Sequence, residues 1–341
     1  MRRTSPRQSP GPGPLTRSEL PAPEGSGPID PANTVGGQAV IEGVMMRAPS
    51  AWSVAVRQPN GHITARRTEL PRLSERNKWA RVVFVRGILV LAESLSLGFK
   101  ALSWSAQVAT EEEEKPLTRA QIGLSMVVAF ALFAGVFILL PALAADVVTD
   151  DSDLLFSAIE GIIRLAIFIG YIWVIGRSQE IARVFEYHGA EHMTIHAFEA
   201  GQPLTVETVA RYPPEHPRCG TSFLLIVVLG SIVLFTFLGQ PDLPFLIVSR
   251  LIGIPLIAGL SYELLRWSGT RPDGTLASIL AKPGIWLQKL TTAVPNGSQI
   301  EVAISSLVVA LDDEQFADVS ARGELPATAL GVREAVRSGG L

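Results

Sequence analysis

IGLSMVVAFALFAGVFILLPALAA, residues 122–145, is a run of 24 residues with no charged side chain. A bilayer core about 30 Å thick needs roughly 20 apolar residues of helix to cross it, and this run meets that length. Leu154 to Gly176, Thr221 to Gly239 and Phe245 to Leu265 meet it as well. The expected fold is therefore mainly α, a four-span helical membrane protein. Composition agrees: 48% of the 341 residues are hydrophobic and 18% charged, against about 25% charged in soluble domains. Mean hydropathy is +0.31.

Charge placement orients the spans. The connections 146–153 and 240–244 carry no Lys or Arg, but hold Asp146, Asp150, Asp151, Asp153 and Asp242. Of the 29 basic residues, 16 lie within 1–120, four within 177–220 and seven after 265; Arg164 and Arg250 fall inside spans. Basic loops stay on the cytoplasmic side, so both termini and the 177–220 loop are expected there. Arg164 follows Glu160 by one helical turn, which lets the two neutralise each other. Arg250, near the far end of its span, can snorkel to the headgroups. A net charge of −3 gives bulk electrostatics no hold on nucleic acid. A single cysteine excludes an intrachain disulfide and suits a reducing compartment. The first residues lack the short apolar core of a cleaved signal peptide.

The remaining segments read as polar flanks. Residues 1–33 hold eight prolines and four glycines and are expected to form a disordered tail. Within 34–80, WSVAVR at 52–57 and HITARR at 62–67 flank Asn60-Gly61, which predicts a small N-terminal β-hairpin. Before it, TVGGQAVIEGVMMRAP at 34–49 reads as glycine-bounded turns, with Glu42 a possible ligand or base. In 81–107, Arg86, Glu93 and Lys100 recur every seven residues. That stripe predicts an amphipathic helix, lying in the interface or packed on the bundle. Glu111 to Glu114 reads as a solvated linker. After the last span, residues 266–311 are expected to form a cytoplasmic helical module. It begins with a turn at Arg271 to Gly274, and Pro283-Gly284 interrupts its first helix. Residues 312–341 read as a loose tail.

The chemistry concentrates in YHGAEHMTIHAFE, residues 187–199. His188 and His192 stand four apart, so on a helix both imidazoles reach one metal ion from the same face. With Glu191 between them the pattern is His-x-x-Glu-His, the spacing of the inverzincin metalloproteases, whose glutamate serves as general base. His196 is turned about 80° from His188 and sits about 12 Å along the axis, so it does not easily join that pair. His192 with His196 is the alternative pair, with Glu199 a turn further on. Gly189 weakens the helix, which is easier to rationalise if something packs closely on that face. A catalytic zinc site needs a third protein ligand. Cys219 and His216, in HPRCGTSF, and Glu263, in SYELLR, reach the same membrane face as the histidine helix. A thiolate in the set suits zinc among divalent metals. A cysteine nucleophile served by His216 is a weaker enzymatic reading.

GGQAVIEGVMMR at 36–47, YHGAEH at 187–192, LTVETV at 204–209, HPRCGTSFLL at 216–225 and QIEVAI at 299–304 resemble the uncharacterised bacterial YqhQ-like family. The resemblance covers roughly residues 34–311. It implies a multi-pass protein of the bacterial inner membrane, catalogued as a predicted metal-dependent enzyme, and supplies no substrate. Two functions follow from these readings. One is a metal-dependent hydrolase, possible on peptide bonds, with Glu191 as base and a divalent metal on His188, His192 and Cys219. The other is a membrane scaffold or assembly factor without catalysis. Neither reading identifies a soluble partner, and the bilayer is the one environment both require.

Overall fold

The computed structural model describes residues 35–70, 77–110, 119–148, 153–239, 243–269 and 275–339. The expectations of a tail at 1–33, of a linker at Glu111 to Glu114 and of a turn at Arg271 to Gly274 lie outside the described residues.

The N-terminal β element is larger than a hairpin. Strands β1 (Gly36–Val40), β2 (Gly43–Arg47), β3 (Ala51–Arg57) and β4 (Ile63–Glu69) form an antiparallel meander in sequence order. The expected β3–β4 pairing is present, with Ala55 opposite Ala65. The stretch read as glycine-bounded turns is itself two strands, Ala39 facing Val44 across Ile41-Glu42. Two features hid it. GVMMR is buried on both faces, so it lacks the alternation of a half-exposed strand. Its turn places Glu42 at φ 50°, a left-handed position usually given to Gly or Asn.

The helices follow in order. A short 3₁₀ turn at Lys78–Arg81 leads into α1 (Val85–Ala109). Next, α2 (Arg119–Ala134) runs through a π turn at Gly135–Leu139 into α3 (Leu140–Val148), followed by α4 (Asp153–Ile175). The polar helix α5 (Gln179–Glu199) and the single turn α6 (Val206–Val209) precede α7 (Gly220–Leu238) and α8 (Leu243–Gly269). The chain closes with α9 (Thr275–Thr291), α10 (Gly297–Ala310), α11 (Asp313–Ala321) and α12 (Ala327–Arg337). Among the described residues three helical stretches are long and apolar enough to cross a membrane: Gly123–Val148, Leu155–Ile175 and Gly220–Leu238. The fourth expected span falls within α8.

The π turn has a local cause. Pro141 has no N–H, and its ring crowds the carbonyl four residues back, that of Phe137. Arg164 of α4 fills the gap: its Nε donates to Phe137 O at 3.1 Å while its guanidinium also pairs with Glu160. The Glu160–Arg164 pair thus repairs a helix broken by proline.

Two layers enclose the sheet. Alternate residues of β2 and β3 point to opposite faces. Met45, Val54 and Val56 meet Leu97 and Ala101 of α1 on one face. Val44, Met46 and Ala55 join the core formed by α5 and α10 on the other. Every residue of α10 from Gln299 onward is buried, except Glu301. On this face Ser53 Oγ donates to Ser306 O at 2.6 Å.

Two expectations are corrected downstream. Pro283-Gly284 does not interrupt α9, which continues through both residues. A Cβ at Gly284 would meet Ser222 Cα at 2.9 Å, so the glycine permits α9 to lie against the first turn of α7. Nor is the chain loose after residue 311. Helix α11 carries an Asp312–Gln315 capping box, and α12 packs on α10 and β4. Val319, Ala329, Val332 and Arg333 are buried there, covering apolar surface that α10 would otherwise expose.

Candidate metal centre

Helix α5 is polar by composition yet buried along its second half, from Tyr187 to Ala197 apart from half-buried His188 and His196. Close approach by other segments makes this possible. A Cβ at Gly189 would lie 2.1 Å from Ala293 O and 3.3 Å from Pro214, so only glycine admits the loop after α9. The packing expected from that glycine is present.

The loop and its neighbours orient both histidines. His188 Nδ1 lies 2.8 Å from Thr291 O, and His192 Nδ1 lies 2.6 Å from Pro214 O. A carbonyl only accepts, so each Nδ1 is the protonated nitrogen and each Nε2 keeps a free lone pair. The rings stand 4.4 Å apart. Cys219 caps the N-terminus of α7, its sulfur accepting from Thr221 N at 3.4 Å. His188 Nε2 lies 3.2 Å from Cys219 Sγ. One donor atom from each of His188, His192 and Cys219 falls within 4.8 Å of the other two. A tetrahedral ion with bonds of about 2.0–2.3 Å spaces its donors roughly 3.3–3.8 Å apart, a contraction within the reach of side-chain rotation. The donor set therefore fits a zinc-like ion.

Glu191 lies beside this group, fully buried, with Oε2 lacking any hydrogen-bond partner among the described residues. Burial pushes its carboxyl up to about 8, opposed by the neighbouring His188 and by a hydrogen bond from the Gly37 amide. Burial likewise holds His192 well below the usual imidazole range and raises the Cys219 thiol. Three groups are thus kept uncharged by exclusion of water, and a nearby dication would favour the anionic carboxylate and thiolate. Strand β1 forms part of the wall: a Cβ at Gly37 would meet Met45 O at 2.5 Å and Glu191 Cδ at 3.0 Å.

The other expected residues sort by distance. His196 and His216 have ring centroids 4.4 Å apart, and His216 is 5.7 Å from His192. His216 Nδ1 accepts from Arg218 N at 3.2 Å, and Nε2 faces Glu199 at 3.5 Å, so both nitrogens turn from the pair. Burial lowers its pKa to about 4. His196 Nε2 meets Glu215 O at 2.9 Å, and Glu199 is held by Arg218. Glu263 is not a ligand here: Arg86 donates to it from Nε at 2.6 Å. Glu42 is likewise engaged, by Arg183 and by Tyr187 Oη at 3.3 Å.

Sequence reasoning missed Gln288. This buried amide grips both backbone groups of His216, accepting from N at 2.7 Å and donating to O at 2.9 Å, and also donates to Ser222 Oγ at 3.2 Å. It spans the turn that carries Cys219. With Thr291 one turn later, α9 supports two of the three donors. A polar Gln among the apolar residues of IWLQKL was the available signal.

The fold and this cluster define a mainly helical protein with span-length apolar helices and a buried His-His-Cys group beside a carboxyl. The chain belongs to the family described as "Protein of unknown function (DUF1385)", which matches residues 82–313. It is 32% identical over 286 residues to "Uncharacterized protein YqhQ" of Bacillus subtilis (strain 168), covering 80% of this chain and 90% of that protein. No solved structure matches it.

Proposed function

We propose that the protein is a metal-dependent hydrolase of the bacterial inner membrane, with its site at the cytoplasmic surface and a peptide bond as the bond cleaved. One observation carries this reading: two tautomer-fixed histidines and a thiol converge beside a buried carboxyl whose outer oxygen has no partner. Helix α8 serves as the fourth span, which returns the chain to the cytoplasm and keeps the basic segments on one side.

In this reading His188, His192 and Cys219 hold a divalent cation, zinc by the softness of the thiolate. Such an ion supplies Lewis acidity and activates water near neutral pH. Glu191 takes the proton at Oε2 and returns it to the leaving amine. The Gly37 amide holds the carboxylate in place, and the surrounding burial excludes bulk water. Substitution Glu191→Gln keeps the shape and removes the base. Metal content of detergent-purified protein should then persist while complementation of a deletion strain fails. Full complementation by Glu191→Gln would sink the hydrolase, and absence of stoichiometric metal in the wild-type chain would favour a scaffold.

A second reading has its own support, because His188 Nε2 lies within 3.2 Å of a thiol at a helix N-terminus. Such a dyad can work as a nucleophile and base without metal. This pairing replaces the expected partner His216. A metal-free chain alkylated rapidly at Cys219, and inactivated by that alkylation, would establish it.

A further inference from the structure

We propose that α1 is seated in the cytoplasmic lipid leaflet with its apolar stripe toward the acyl chains, a reading that rests on the membrane assignment above. The helix is amphipathic in the inverted sense. Two of the three charges in its stripe face protein, Arg86 pairing with Glu263 of α8 and Glu93 with Arg47 of β2, while Lys100, nearer the C-terminal end, is exposed. On the opposite side, about 180° around the axis from Arg86, Ile88, Leu95, Phe99 and Leu102 are exposed. Leu95 is 65% and Phe99 73% accessible. A helix on a water-soluble domain turns its charges outward and its leucines inward. This one buries Leu97 and Ala101 against the sheet yet leaves a second apolar stripe, spanning 15 residues, exposed on the far side, the pattern of an element with protein on one side and lipid on the other.

Continuity with α8, the helix proposed above as the fourth span, argues for lipid as the occupant. Gly87 packs on Gly259 of α8, a Cβ there falling 3.1 Å from Gly259 Cα. The preceding Trp79, Val82, Val83 and Phe84 are exposed as well, with Lys78 Nζ 5.9 Å from the Trp79 ring. Indole beside a basic residue is the composition of a headgroup anchor. The second half of α1 supports the candidate site from beneath: Ser105 Oγ accepts from Ile41 N at 3.2 Å, just beyond β1. The leaflet therefore carries the sheet whose Gly37 abuts Glu191, and the site stands at a fixed height over the bilayer.

The test places a bimane label at single cysteines in the full-length chain, reconstituted in phosphatidylethanolamine–phosphatidylglycerol vesicles with or without brominated acyl chains. The wild-type chain, whose Cys219 is buried, serves as the blank. Labels at Leu95 and Phe99 should lose emission in brominated vesicles as a label at Val233 of α7 does, while one at Leu330 of α12 keeps it. Quenching at Val233 without quenching at Phe99 overturns the seating of α1 alone. Self-quenching between Phe99 labels under those conditions would assign the stripe to a second copy of the chain instead. No quenching at Val233 overturns the membrane assignment and this inference with it.

Discussion

At Cys219 the choice between ligand and plain buried thiol becomes a measurement. Cys219→Ser should leave the bundle folded, weaken cobalt binding and abolish the thiolate charge-transfer band; an unchanged spectrum would remove the cysteine from the ligand set. Gln288→Leu acts one step back. It leaves the buried N–H of His216 without its partner, at about 1–3 kcal/mol, while the His216 carbonyl keeps only the Cys219 N–H at 3.2 Å, and it loosens the turn before Cys219. Lower thermal stability together with faster cobalt loss is expected, whereas lower stability with unchanged metal kinetics would make Gln288 merely structural. The candidate donors were legible because i, i+4 spacing is local and charge counting brought HPRCGTSF to the same face. Glu263 misled because its partner, Arg86, is 177 residues away in sequence. Gln288 left only a weak trace, a polar residue in an apolar stretch, and its role could not be read until the backbone it grips is known.

Among elements, three of the four expected apolar spans are recovered as span-length helices, since length and a low density of charge suffice to find them. β1 and β2 were obscured by burial on both faces, and α11 and α12 by their short, charged periods. The Asp312–Gln315 capping box was nevertheless present to be read. The break between α2 and α3 yields a paired prediction. Arg164→Leu leaves Phe137 O without this donor and half-buried Glu160 without its counter-charge, a destabilisation below the roughly 3–5 kcal/mol of a fully buried pair missing one partner. Adding Pro141→Ala restores an N–H within reach of that carbonyl and should recover part of the loss. Thermal unfolding in detergent would show the recovery. Strict additivity of the two changes would mean that the proline and the arginine are unrelated.

Over the whole molecule, the reading of both termini inside predicts that a reporter fused near Asp151 is active outside the cell and one near Gln202 inside. Cytoplasmic labelling of a cysteine at Asp151 would invert the protein and move the site to the other compartment. Helix α9 then takes on a larger meaning. It packs on α4, α7 and α8, and its last turn supplies the Thr291 carbonyl and the Gln288 amide. If the cluster holds an ion as proposed, its affinity and the cohesion of the apolar helices would be linked quantities: at a thousand-fold excess of ion over its dissociation constant, binding would add about 4 kcal/mol to the folded state. A chelator should lower the melting temperature of the apolar helices themselves. By reciprocity, bilayers whose thickness or lateral pressure tilts those helices should change the rate at which the ion leaves. On the proposed reading, α9 would couple the mechanical state of the bilayer to the occupancy of the metal site.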